Sequence, residues 1–178
     1  FISESHYFLS LMQTLQYDTI YHEHLRYYTL SSLNYIFKKF GLRIVYAKKI
    51  KTHGGSIRVY AVKDKDKVFK SHKNVTKILK SEKLLINNKN LSKFANLVTI
   101  SKIKTYSLLQ SLYLKNKTIF AVGAPSRATT LVNYVGLDEN IIKCICEIKN
   151  SHKIGYYLPG TKIPIVDEKK IFLNNPDY

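Results

Sequence analysis

The chain has 178 residues, a formal net charge of +17, 45% hydrophobic and 23% charged residues. That length suits one domain with a sizeable core or parts of two smaller ones. No apolar run nears the ~20 residues of a membrane helix, and the start, FISESHYFLS, has no basic segment ahead of an apolar one, so the expectation is a cytoplasmic protein with no membrane partner.

The charge is almost all lysine, spread along the chain, and only Arg26, Arg43, Arg58 and Arg127 can make planar bidentate contacts. A solvated basic surface is therefore the reading, with no nucleic-acid partner; strong salt-dependent binding to unrelated DNA would favour the opposite.

In chain order, FISES reads as the end of a strand running into a loop, and residues 7–15 as a helix. After the polar block 21–24, Thr29 or Ser31 can cap a helix that carries Leu33, Ile36, Phe37 and Phe40 at helical spacing, and Gly41 ends it in a left-handed conformation. Residues 42–50 (LRIVYAKKI) and 56–62 (SIRVYAV) read as strands separated by KTHGG. Helix, strand, glycine-bearing loop, strand is the closing pattern of a class I methyltransferase sheet, whose last strand is antiparallel, and many other α/β folds also end in a hairpin. Residues 63–117 turn lysine-rich and helical, with Leu91, Phe94, Val98, Leu108, Leu109 and Leu112 as a broken apolar stripe.

A second unit opens with strand 118–123 (TIFAVG), turns through Ala124 and Pro125 into a helix containing residues 130–134, and continues with strands at 141–148 and 162–166. This is the beginning of a nucleotide-binding fold. Cys144 and Cys146, two apart on a strand, face one side and read as buried thiols, because two thiols do not make a metal site. The chain starts in mid-sheet and stops at NNPDY, where such a unit needs another strand; both ends suggest a fragment.

Three motifs can carry chemistry. Tyr21, His22, Glu23 and His24 put four polar side chains at consecutive positions, so the segment is a solvated loop or a site; imidazole takes a proton near neutral pH and a neighbouring carboxylate can set its tautomer. Thr52, His53, Gly54, Gly55 and Ser56 allow positive φ, which a hairpin turn and a ligand cradle both need, and the turn is the simpler reading. The stretch GAPSRATT at 123–130 departs from GxGxxG, and it is either a structural strand-to-helix turn or a phosphate site built from helix-start amides and Arg127.

Taken together, DTIYHEH at 18–24, THGGSIRVY at 52–60, GAPSRATTLVNYVG at 123–136 and YLPGTKIPI at 157–165 resemble, in order and spacing, the nucleotide-sugar C-methyltransferases that make branched-chain deoxysugars. The resemblance covers essentially the whole chain and implies a fold class: α/β, the end of a class I methyltransferase sheet with antiparallel last strands, then helices and an incomplete Rossmann-like domain. It implies boundaries at 1–62 for the end of the methyltransferase domain, 63–110 for linking helices and 111–178 for the start of the Rossmann-like domain.

The resemblance further implies transfer of a methyl group from S-adenosylmethionine to a carbon next to the ketone of a nucleotide-linked 4-keto sugar. His24 would be the base, Glu23 and Tyr21 would shape and polarise the site, His53 and Arg58 would sit near the substrate, and Gly123 with Arg127 would face the nucleotide diphosphate. The family's zinc module and its acidic, glycine-rich donor loop have no match here, so zinc is expected only in a missing amino-terminal domain and this polypeptide alone is expected to be inactive. The alternative is a non-catalytic Rossmann-like module that binds a nucleotide sugar or a partner chain.

Overall fold

Alternation decides the first sheet. In SIRVYAVK the residues Ile57, Val59 and Ala61 fall on one face, and all three are buried in the computed structural model, which describes residues 1–178 apart from the side chain of His53. The fold is mixed α/β, and the chain divides into one unit of residues 1–17 and 24–97 and another of residues 18–23 and 98–178. Among the described residues no helix is long and apolar enough to cross a membrane.

The first unit contains β1 (Ile2–His6), α1 (Phe8–Thr14), α2 (Leu30–Lys39), β2 (Leu42–Ile50), β3 (Ser56–Lys63) and α3 (Lys73–Leu85). Helix α4 (Asn88–Leu114) contributes its first residues to this unit and the rest to the second. The sheet is antiparallel in the order β1-β3-β2, so the two strands read from LRIVYAKKI and SIRVYAV are neighbours, and FISES forms a full edge strand of its own.

A bulge sets the face of β2: Ile44 lies opposite Ala61, Tyr46 opposite Tyr60 and Ala47 opposite Val59. The extra residue, Val45, brings Ile44 and Ala47 onto the same core face although they are three positions apart. Burying side chains such as Ile57 or Val59 in full stabilises the unit by about 1.5–3 kcal/mol each.

Helix α2 begins at a complete cap. Thr29 is the N-cap; its hydroxyl accepts from Ser32 N–H at 2.9 Å, and Ser32 Oγ accepts from Thr29 N–H at 3.0 Å. The remaining amides of the first turn, Leu30 and Ser31, donate to the Glu82 carboxylate at 2.6 and 2.8 Å, and the Ser31 hydroxyl joins them at 2.5 Å. Glu82 comes from α3, where Val75, Ile78 and Glu82 recur at helical spacing on the buried face, and it is only 2% exposed.

The hydroxyl of Tyr7 also donates to Glu82, at 2.9 Å. Burial first, then the Glu82 charge, pushes that phenol well above its ordinary range, so it remains a donor. At the other end, Gly41 takes φ +66° and its N–H reaches Lys38 O at 3.1 Å, closing α2 as its sequence requires.

The second unit contains β4 (Phe120–Val122), α5 (Ser126–Val135), β5 (Cys144–Glu147), β6 (Ile165–Asp167) and α6 (Lys169–Asn174). Its sheet is parallel in the order β4-β5-β6. The strands are shorter than their apolar runs: Ile141 and Ile142 are buried, but their amides turn back to Asp138 O at 3.2 and 2.9 Å and so precede β5.

Cys144 and Cys146 are free and buried, as their placement on a strand predicts; burial pushes the Cys144 thiol up to about 11 and raises Cys146 as well. On the opposite edge of β4, Tyr178 N–H donates to Thr118 O at 3.2 Å and Phe120 N–H donates to Tyr178 O at 2.8 Å, the pattern of a parallel neighbour. The turn that follows β4 lies at the carboxyl end of a parallel strand, the side on which α/β proteins bind ligands.

That turn is held by Glu147, the last residue of β5, which accepts from Ala124 N–H at 2.9 Å and Ile148 N–H at 3.2 Å. The Ala124 bond first of all lowers the Glu147 carboxyl below its ordinary 4.5.

Replacing Glu82 by Ala strips partners from the buried Leu30 amide, the Ser31 amide and two hydroxyls, and should cost about 3 kcal/mol in urea unfolding monitored by circular dichroism. Because Glu147 is depressed in the folded state, the stability it contributes is complete above pH 4.5 and is lost as pH falls through the lower folded value. In Glu147→Gln, thermal midpoints should therefore fall less steeply below pH 4.5 than in the parent chain.

Candidate functional site

The loop that carries the polar block is fastened before it reaches that block. Arg127 of α5 grips Asp18 Oδ2 through Nε at 2.7 Å and Nη2 at 2.6 Å, and the Thr130 hydroxyl donates to Ile20 O at 3.2 Å. With residues 18–20 tied to α5, Tyr21 and His22 line a cavity of about 600 Å³ in the second unit. Other walls come from Ser126, Thr129 and Thr130 of α5 and from His152, Lys153 and Tyr156 in the loop after β5. Ala124, just beyond β4, completes the mouth, so the cavity opens at the carboxyl ends of parallel strands.

The four consecutive residues do not share one environment. Tyr21 and His22 rings lie 5.9 Å apart, while Glu23 is exposed and sits 4.0 Å from His22 Nε2. His24 belongs to the first unit, where its ring centroid is 5.5 Å from His6 and 6.3 Å from Tyr27. His6 ends β1 and faces Tyr27 edge-on at 5.7 Å, so His6, His24 and Tyr27 form a cluster of three rings.

The other residues singled out in the sequence are placed as follows. Arg58 on β3 pairs with Glu4 on β1, Nε to Oε2 at 2.8 Å and Nη2 to Oε2 at 2.7 Å, and Thr52 donates to the other Glu4 oxygen at 3.0 Å. The side chain of His53 lies outside the described residues. Gly123 has φ +83° and its N–H bonds to Cys146 O at 2.8 Å; Ala124, and not Gly123, lines the cavity. The Arg127 guanidinium is engaged by Asp18 and is likewise not a wall of the cavity.

Sequence reasoning passed over His6 and Tyr27 around His24, and Glu147, His152, Lys153 and Tyr156 at the cavity. Only Glu147 left a signal, as an acid at the end of an apolar strand 24 residues after Gly123, the position of the ribose acceptor in dinucleotide-binding folds.

The Gly54–Gly55 turn does not fit S-adenosylmethionine, the donor implied by the resemblance. Gly54 and Gly55 have φ +79° and +123°, but the space beside them is filled by the chain itself: a Cβ on Gly54 would collide with the Gln16 side chain, and one on Gly55 would meet Ser10 Cβ at 2.5 Å. Gln16 Nε2 further bonds to Gly54 O at 2.8 Å, so THGGS is a packed hairpin turn and not a donor cradle. Among the described residues no group of three or more His, Cys, Asp or Glu side chains comes together to hold a metal ion.

A family model described as the C-methyltransferase C-terminal domain matches residues 51–178. The C-methyltransferase NovU of Streptomyces niveus is 30% identical over 183 aligned residues, an alignment covering 100% of this chain and 42% of that protein. The chain thus spans less than half the length of this relative. With the family's C-terminal domain matched over most of its residues, the chain belongs to the C-methyltransferase family.

Proposed function

We propose that the chain forms part of an S-adenosylmethionine-dependent enzyme that methylates the carbon next to the ketone of a nucleotide-linked 4-keto deoxysugar. The family match over residues 51–178 carries this reading. A C–H bond beside a ketone becomes acidic because the carbonyl can hold the resulting enolate, so the chemistry needs a base and a donor to the oxyanion. His24 is the base by its matching position in the family resemblance, and imidazole is a side chain able to take up a proton at neutral pH. Ring packing against His6 and Tyr27 supports the assignment, since it limits how the imidazole can turn.

Tyr21 polarises the developing oxyanion, and Glu23 shapes the electrostatics of the segment. His53 and Arg58 belong to the sugar's surroundings, Gly123 supplies the turn beneath the nucleotide diphosphate, and Arg127 secures segment 18–23 through Asp18. S-adenosylmethionine supplies an electrophilic methyl group when bound, held by residues outside this chain. A cytoplasmic location follows from that reading, because both small molecules are intracellular metabolites.

In the full-length protein, His24→Gln should lower turnover by ~10²-fold or more. Incubation of the 4-keto sugar nucleotide in heavy water should label the carbon beside the ketone, and the variant should lose that label along with methylation. Exchange at the parent rate would remove His24 from the role of base, and no exchange by the parent enzyme would leave a nucleotide-sugar-binding module. Calorimetry on residues 1–178 alone should show no micromolar affinity for S-adenosylmethionine; heat of binding at that level would contradict a donor site outside the chain.

A further inference from the structure

We propose that Lys153 is the cation that receives the diphosphate of a nucleoside diphosphate in the cavity of the second unit. The proposal rests on the nucleotide-sugar reading above for the class of ligand, and on the cavity for the residue. Arg127 is the cation that sequence spacing suggests, but its guanidinium holds Asp18 Oδ2 at 2.7 Å from Nε and 2.6 Å from Nη2, and it does not line the cavity. Lys153 does line it, and its side chain is 38% exposed.

The ammonium is aimed by fixed partners. Lys153 Nζ donates to Ala124 O at 2.7 Å and stands 3.9 Å from Glu147 Oε2. Glu147 in turn accepts the Ala124 N–H at 2.9 Å, so the residue just past Gly123 is clamped through both its peptide groups. A lysine has three protons to donate, and these contacts leave donor capacity for a ligand in the cavity. Glu147 is 13% exposed, its oxygens face backbone amides, and it is not one of the cavity walls, so the walls carry no carboxylate against an anion.

The rest of the cavity fits the same ligand class. Ser126, Thr129 and Thr130 bring hydroxyls from the amino-terminal half of α5, the end of the helix that favours negative charge. Tyr156 and Tyr157, 69% and 61% exposed, present ring faces on which a base can stack. A volume of about 600 Å³ lies within the range of small-molecule sites. A lysine acting as a point charge is a common phosphate partner, and a diphosphate satisfies it better than a neutral sugar can.

Titration calorimetry of the 178-residue chain with thymidine diphosphate and uridine diphosphate tests the assignment. Saturable binding of at least one is expected; Lys153→Gln should weaken it by about tenfold or more, and Lys153→Arg by no more than about threefold. Thymidine without phosphate should bind the parent and Lys153→Gln alike, and inorganic pyrophosphate should bind more weakly than the nucleoside diphosphate.

A second measurement uses the unmodified chain, in case the Gln variant does not fold: saturating nucleoside diphosphate should slow acetylation of Lys153 by a lysine-reactive ester, read by mass spectrometry. Unchanged affinity in a folded Lys153→Gln, no binding of either nucleoside diphosphate, pyrophosphate binding as tight as the nucleotides, or no protection of Lys153 would each overturn the proposal. Failure of the methylation reading is seen separately, as absent exchange and methyl transfer in the full-length protein while Lys153-dependent binding persists.

Discussion

The first unit depends on a carboxylate in its core. Glu82 receives two backbone amides and a hydroxyl from the start of α2 and the phenol of Tyr7, which precedes α1. A buried charge of this kind is costly unless fully hydrogen-bonded, and here the partners are the donors that a helix start leaves unmet. The positive end of α2 adds electrostatic stabilisation, so charge and cap serve each other. Because the donors come from two separate parts of the chain, the start of α2 and Tyr7, the interaction fixes α3, α2 and the residue after β1 relative to one another, and the aliphatic residues Val75, Ile78, Leu30 and Leu33 then pack around a defined centre.

The second unit uses a carboxylate in a different way. Glu147 sits at the end of a central parallel strand and holds the turn that follows its neighbour, while Lys153 holds the same residue from the carbonyl side. Asp177 acts similarly on the other flank of β4, accepting from Thr118 N–H and Lys117 Nζ, each at 2.9 Å, which seats Tyr178 along the strand. Polar groups thus anchor the ends of very short strands whose own ladders are only three or four residues long. The cavity is built at the end held by Glu147 and Lys153, beside Ala124.

The polar block at 21–24 gains meaning from how it is divided. Tyr21 and His22 line the cavity, whereas His24 packs with His6 and Tyr27. Consecutive side chains project in different directions, so a loop can present neighbouring residues to different surroundings without any long-range rearrangement of the backbone.

Much of the fold was legible in the sequence because it follows from local rules. Period-2 alternation in SIRVYAV, the Thr29 cap, Gly41 and the KTHGG turn each specify a local conformation, and the antiparallel pairing of β2 with β3 follows from their closeness in the chain. The order of four motifs also pointed to the family, since spacing along a chain survives as sequence. What the sequence could not reveal were the choices made by groups far apart in it. The bulge at Val45 turns Ile44 and Ala47 to one face only because β3 offers Ala61 and Val59 as partners, and a strict period of two would have separated them. Nothing local marks Glu82 as a helix cap for residues more than 50 positions away, or Lys153, one lysine among many, as the cation in the cavity. Arg127 shows the reverse: its spacing after a glycine turn suggests a phosphate ligand, and tertiary packing gives it Asp18. Backbone preference and hydrophobic period are properties of neighbouring residues and can be read in order, whereas the partner of a charged side chain is set by which distant segments folding brings within about 3 Å of it.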